Sequence, residues 1–228
     1  MGTSKTTVAD VPLTVGKPDH AVALGKAVIV LQEAWGVNAH IESILTRLAD
    51  AGYLAVAPHL YHRGSQTSFT DFPSAKEALM ALNSTDIGHD VSAAVAYCKS
   101  EGADTIGSLG FCMGGTVSLW CAAESLVDAA VTYYGGAVTE SRWNGIPAGS
   151  ELAAQLKVPW LGHYGDLDPS IPPESVEQLR SHASKLARVY RYPNAGHAFN
   201  NDTSSHYASE AADLAWSRTM EFFAETLS

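Results

Sequence analysis

Short apolar runs alternate along this chain with longer stretches in which apolar residues recur every three or four positions. The first kind reads as buried parallel strands and the second as amphipathic helices. The segments 26–32, 53–57, 104–107, 128–134, 158–164 and 188–192 form the strand series. Ile41, Ile44, Leu45 and Leu48 keep helical spacing, with Asn38 placed to cap that helix and Gly52 to stop it. Further helices are expected over 86–99, 116–123 and 174–183, and from about residue 207 onward, where Ala211, Leu214, Ala215, Phe222 and Phe223 supply the apolar positions. Residues 8–15 read as a short edge strand and 137–150 as a loop. A long polar excursion begins at His59. Inside it Ser74 and Glu77 have capping-box spacing, which predicts a short helix just beyond them. Strands alternating with helices predict an α/β fold: a mostly parallel sheet with helices on both faces. With 228 residues and no repeat, low-complexity segment or linker, positions 1–228 read as one domain, residues 1–25 being its least defined part.

The most informative stretch is Gly110-Phe111-Cys112-Met113-Gly114, at the junction of a strand and a helix. A nucleophile flanked two positions away by glycines, in a sharp strand-to-helix turn, is the pattern of a nucleophile elbow. The turn strains its central residue, and the glycines allow neighbouring backbone to approach. It sets the sulfur of Cys112 at a helix N-terminus, where the helix dipole favours thiolate. The plainer alternative is a buried thiol beside two turn glycines.

Three other strand ends carry chemistry-bearing groups: Glu33, the pair Asp166 and Asp168, and His197. In doubly wound sheets the site forms at the carboxyl ends of the strands. A cysteine nucleophile needs a base, which His197 supplies, and a carboxylate to orient that base. The order nucleophile, acid, histidine is that of α/β-hydrolases. Taken singly, His197 also suits a turn cap, either aspartate an ordinary turn before Pro169, and Glu33 a partner for a loop N–H.

Composition narrows the function classes. Lys and Arg number 14 against 24 Asp and Glu, a formal charge of −10, which argues against a nucleic-acid partner. No apolar run approaches the ~18 residues that span a bilayer, so no membrane association is expected. The first ten residues lack the apolar core of a signal peptide. The three cysteines are an odd count, with Cys98 and Cys121 in helical stretches, and a cytoplasmic setting with free thiols is the simple reading. His59 and His62 with His89 or His163 lack an acidic companion at ligand spacing, so no metal is expected, nor any other cofactor.

These segments together resemble the dienelactone hydrolase family, the carboxymethylenebutenolidase-like α/β-hydrolases. Gln32-Glu33-Ala34-Trp35-Gly36-Val37-Asn38 is similar to the family's Q-E-x-x-G-x-N, and Pro58-His59-Leu60-Tyr61-His62-Arg63 to its P-x-L-Y-x-R. Gly110–Gly115 matches G-F-C-x-G-G. The run from Gly165 to Pro172 fits G-x-x-D-x-x-[VI]-P, which selects Asp168 over Asp166, and Tyr192–Phe199 fits Y-x-x-A/G-x-H-x-F. The last helix resembles A-x-x-A-W-x-R. The resemblance implies an α/β-hydrolase fold and hydrolysis of a small ester or lactone through Cys112, His197 and Asp168. It implies an oxyanion hole from the backbone N–H groups of Ala34 and Met113, and a Glu33 that contacts the resting thiol. Where the family places a carboxylate-binding arginine, four residues after the histidine, this chain has Asn201, so an anionic lactone is not the expected substrate. Trp35, Arg63 and Tyr134, with Asn201, are candidates for the pocket wall, as are Phe69 and Phe72. A thioesterase or other acyl transfer on the same triad, and a silent small-molecule binder, are the rival functions.

Overall fold

The apolar runs become the strands of one sheet in a computed structural model that describes residues 2–18 and 25–228. Its strands are β1 (Ser4–Val8), β2 (Val11–Gly16), β3 (Lys26–Leu31), β4 (Leu54–Pro58), β5 (Thr105–Phe111), β6 (Ala129–Tyr133), β7 (Trp160–Gly165) and β8 (Ala187–Tyr192). Their order is β1-β2-β4-β3-β5-β6-β7-β8. From β4 to β8 every pair is parallel, while β1 and β2 add an antiparallel edge. The central strands are buried on both faces, which is why they read as continuous apolar runs.

Helices α1 (Ala39–Asp50), α2 (Phe72–Ala81), α3 (Ser84–Ser100), α4 (Met113–Glu124), α5 (Gly149–Ala154), α6 (Pro173–His182) and α7 (Ser209–Thr226) cover the sheet. Asn38 caps α1 as expected, its side chain accepting the N–H of Ile41 at 3.2 Å, and Gly52 follows with φ +91°. α1 and α7 meet where the Arg47 guanidinium lies 3.7 Å from the Trp216 ring centroid.

Four local expectations need correction. Residues 8–15 do not form one strand: a hairpin turn falls at Ala9 and Asp10, both with positive φ, and ties β1 to β2. Neither residue is a glycine, so the turn left little trace in the sequence. The helix in the excursion begins earlier than Ser74, because Asp71 is its cap and accepts the Ser74 N–H at 2.9 Å, with Pro73 in the first turn. The 137–150 segment runs into α5, which has no side-chain cap to announce it. Leu214 is exposed rather than packed.

Strand register brings the relevant ends together. Leu31 pairs with Gly110, Phe111 with Tyr133, and Gly165 with Tyr192. Residues just beyond these positions therefore crowd one rim of the sheet, and all the sequence candidates except Arg63, Phe69, Phe72 and Asn201 follow one of these strand ends within a few residues.

Candidate active site

Cys112 has φ +53° and ψ −116°, a strained conformation for a residue with a side chain, at the step between β5 and α4. What holds it there is backbone packing. A Cβ on Gly110 would overlap the carbonyl of Gly114, and one on Gly114 would overlap the carbonyls of Leu31 and Gln32. The Cys112 N–H donates to Tyr133 O at 3.0 Å and the Gly114 N–H to Gln32 O at 3.1 Å. The second bond stitches the start of α4 to the loop after β3. Within these two stitched segments, the N–H groups of Ala34 and Met113 have no acceptor among the described residues. Two unpaired amides at a helix N-terminus and an adjoining loop are suited to holding an anionic oxygen.

His197 and Asp168 come from the loops after β8 and β7. Nδ1 of the imidazole lies 2.6 Å from Oδ2 of Asp168, whose other oxygen accepts from the Ser170 hydroxyl at 2.6 Å and the Ser170 N–H at 2.9 Å. Burial works against the carboxylate, but these hydrogen bonds and the neighbouring imidazole outweigh it and hold Asp168 below the usual range. Burial likewise opposes charge on His197. Hydrogen bonding to Asp168, and after it the influence of Cys112, override it, raising the ring to about 10. The structure thus joins His197 to Asp168 by a direct hydrogen bond, with Cys112 near enough to influence the ring. Asp166 is turned away and bonded to Arg191 at 2.7 Å. The other two cysteines are buried, and burial pushes each thiol up to about 12.

Glu33 is buried beside this group, and both of its oxygens are occupied. Tyr134 donates its hydroxyl to Oε1 at 3.3 Å and Asn201 its Nδ2 to Oε2 at 3.1 Å. Burial raises the Glu33 carboxyl above its ordinary value, opposed by the charge of His197 and by the two donors. The Tyr134 ring packs against His197 with centroids 5.1 Å apart. Tyr134 and Asn201 therefore hold Glu33 rather than line open space.

A cavity of about 510 Å³ lies next to the site, between the 59–71 excursion, α2 and the start of α3. Arg63 and Phe69 line it. Trp35 does not; its ring meets Phe72 edge-on at 6.3 Å, while its carbonyl accepts the Phe69 N–H at 3.0 Å. None of Cys112, His197 and Asp168 borders the cavity directly. The connection runs through Leu60, a wall residue whose N–H donates to the Gln32 side chain at 3.2 Å; its neighbour Tyr61 also lines the cavity, its phenol held well above its ordinary value by burial. Tyr61 stood in a quoted motif but received no role. Ser170, which fixes Asp168, carried no signal beyond its turn sequence. Among the described residues no cluster of three or more His, Cys, Asp or Glu is arranged to hold a metal, and no helix is long and apolar enough to cross a membrane.

The model of the dienelactone hydrolase family matches residues 12–227. The chain belongs to that family. It is 37% identical over 224 residues to a Salmonella typhimurium protein provisionally named a carboxymethylenebutenolidase, covering 95% of this chain and 83% of that protein. It is 32% identical over 220 residues to the carboxymethylenebutenolidase of Pseudomonas putida, covering 92% and 89%. A crystal structure from Klebsiella pneumoniae, provisionally named a dienelactone hydrolase, superposes with a TM-score of 0.91 at 33% identity over 98% of each chain. This dienelactone hydrolase family member is accordingly an ester- or lactone-cleaving hydrolase on an α/β-hydrolase fold.

Proposed function

We propose that this hydrolase works through a Cys112–His197–Asp168 triad and an acyl-enzyme on the sulfur of Cys112, with a small ester or lactone as substrate. The observation that supports it most is the His197–Asp168 contact at 2.6 Å beside a cysteine held at positive φ. In the attack the sulfur gives its proton to the ring, whose positive charge Asp168 stabilises, and reacts as thiolate.

Attack forms a C–S bond and moves the carbonyl electron pair onto oxygen, which the N–H groups of Ala34 and Met113 receive. As the tetrahedral species collapses, the C–O bond to the alcohol breaks and His197 gives that oxygen its proton. A water molecule then attacks the thioester and passes a proton to His197. The acid leaves, and the sulfur is released as thiolate. Asp168 keeps Nδ1 engaged throughout, so that the other ring nitrogen handles each proton. Glu33 places a carboxyl against this group without entering a bond-making step.

The test is pre-steady-state hydrolysis of 4-nitrophenyl acetate. A burst equal to the enzyme concentration is expected, with a protein-bound acetyl group found by mass spectrometry on the peptide containing Cys112. A Cys112→Ala variant that keeps the burst rules the mechanism out.

A further inference from the structure

The wall of the 510 Å³ cavity carries one guanidinium, but its charge is already spent. Arg63 donates from Nη1 and Nη2 to the two oxygens of Asp90, each at 2.8 Å, and its Nε lies 3.5 Å from Asp86. Asp90 is 1% exposed in its side chain, so the fork is locked against a buried carboxylate, which His62 and His89 also approach at 3.1 and 3.3 Å. The same wall presents Glu77 and Asp86. The remaining lining is apolar or uncharged, including Leu60, Phe69 and Ala78. A carboxylate entering here meets two acids and an arginine already paired.

The cavity belongs to the reaction site by construction. Its wall residue Phe69 bonds to Trp35, and Gly36 bridges Ser68, so the wall is tied to the loop that carries Ala34. The wall residue Leu60 donates its N–H to the Gln32 side chain at 3.2 Å, and the Gln32 carbonyl accepts the Gly114 N–H at the start of α4.

We propose that this cavity receives the part of the substrate remote from the scissile bond and selects an uncharged, partly apolar group there, so that the enzyme discriminates against esters bearing a carboxylate. The inference rests on the ester-hydrolase mechanism proposed above. The discriminating pair is 4-nitrophenyl butyrate and mono-4-nitrophenyl succinate, whose acyl chains have the same length and differ by the terminal charge. The neutral ester is expected to have kcat/KM higher by about tenfold or more. Raising the salt concentration narrows the gap, because part of it is repulsion across an open wall. Glu77→Gln with Asp86→Asn narrows it too, by improving KM for the succinyl ester. Ala78→Trp, which fills the cavity, lowers the ratio of octanoate to acetate turnover.

Equal or faster turnover of the succinyl ester overturns the inference and leaves the hydrolase mechanism standing. An unchanged octanoate-to-acetate ratio in Ala78→Trp, with the variant folded by circular dichroism, removes the cavity from the substrate path. Absence of turnover of both esters, with no acetyl burst, overturns the mechanism and the inference with it.

Discussion

Asn201 Nδ2 donates to Glu33 Oε2 at 3.1 Å, joining two buried side chains 168 positions apart in the chain. The bond closes the loop after β8 onto the loop after β3. It also explains what an asparagine does where the family resemblance led to an arginine: it satisfies a buried carboxyl without adding charge. Asn201→Ala is therefore expected to destabilise the protein by about 1–3 kcal/mol at neutral pH, the cost of leaving a buried polar group with one partner fewer. The sign with pH is fixed by the raised Glu33 carboxyl. A raised acid contributes stability that is present below its unfolded value and lost as pH rises through the folded one. Losing a donor raises that carboxyl further, so the variant's deficit widens from pH 5 to pH 8 in urea unfolding. A deficit that does not change with pH contradicts the assignment.

Asp168 governs the imidazole. Asp168→Asn replaces an anionic acceptor by an amide, so the His197 ring falls from about 10. Turnover of 4-nitrophenyl butyrate is expected to drop by about 10²–10⁴-fold, as the ring loses both orientation and charge stabilisation. The charged ring also stabilises the parent: a raised histidine contributes fully below its ordinary 6.5, and the contribution declines to nothing as pH rises through about 10. The parent therefore loses more stability than Asp168→Asn between pH 6.5 and 10. Unfolding curves whose midpoints fall in parallel over that window refute it.

The reach of the sequence follows from how locally each feature is encoded. β3 and β5 were legible because a strand buried on both faces must be apolar at every position. Cys112 was legible because its turn demands two glycines at fixed offsets. The Ala9–Asp10 turn was not, since its positive φ values fall on residues that ordinarily avoid or only tolerate them. The same holds for the pairing of Arg63 with Asp90, 27 positions away and dependent on how the excursion lies on α3. Tyr61 is the sharpest case. Its motif was visible, but only the fold sets it in the cavity wall with its ring against Phe69.

Backbone collision at the elbow makes a prediction that separates two reasons for glycine. Gly114→Ala drives a Cβ into the Leu31 and Gln32 carbonyls, backbone atoms of the central sheet that have nowhere to go. Gly52→Ala meets no atom within 4 Å but must adopt φ +91°. The first is expected to cost about 3 kcal/mol or more, or to prevent folding, and the second about 1 kcal/mol. Urea midpoints compare them directly. An equal cost at the two sites is incompatible with close packing at the elbow.

Acid stability turns on His163, buried beneath the site on β7. Thr219 donates its hydroxyl to Ala215 O at 2.9 Å, so its oxygen accepts from His163 Nε2 at 3.1 Å. Nδ1 then accepts from the Tyr192 hydroxyl at 2.8 Å, a hydroxyl that itself receives a donor from Arg218 at 3.2 Å. Every partner fits the neutral ring. Burial, and then the Arg218 charge, lower this imidazole to about 3, and burial similarly lowers His40 to about 4. A depressed histidine contributes stability that is present above its ordinary 6.5 and lost as pH falls toward the folded value, at about 1.4 kcal/mol per pH unit. His163→Gln is thus expected to be less stable than the parent at pH 8, yet to lose less on going from pH 6.5 to 4.5. Its unfolding free energies should converge on the parent's as pH falls, because the glutamine has no proton to take up in the unfolded chain. Two curves that stay parallel through that interval mean the ring already carries its proton in the fold, which the donor pattern around it forbids.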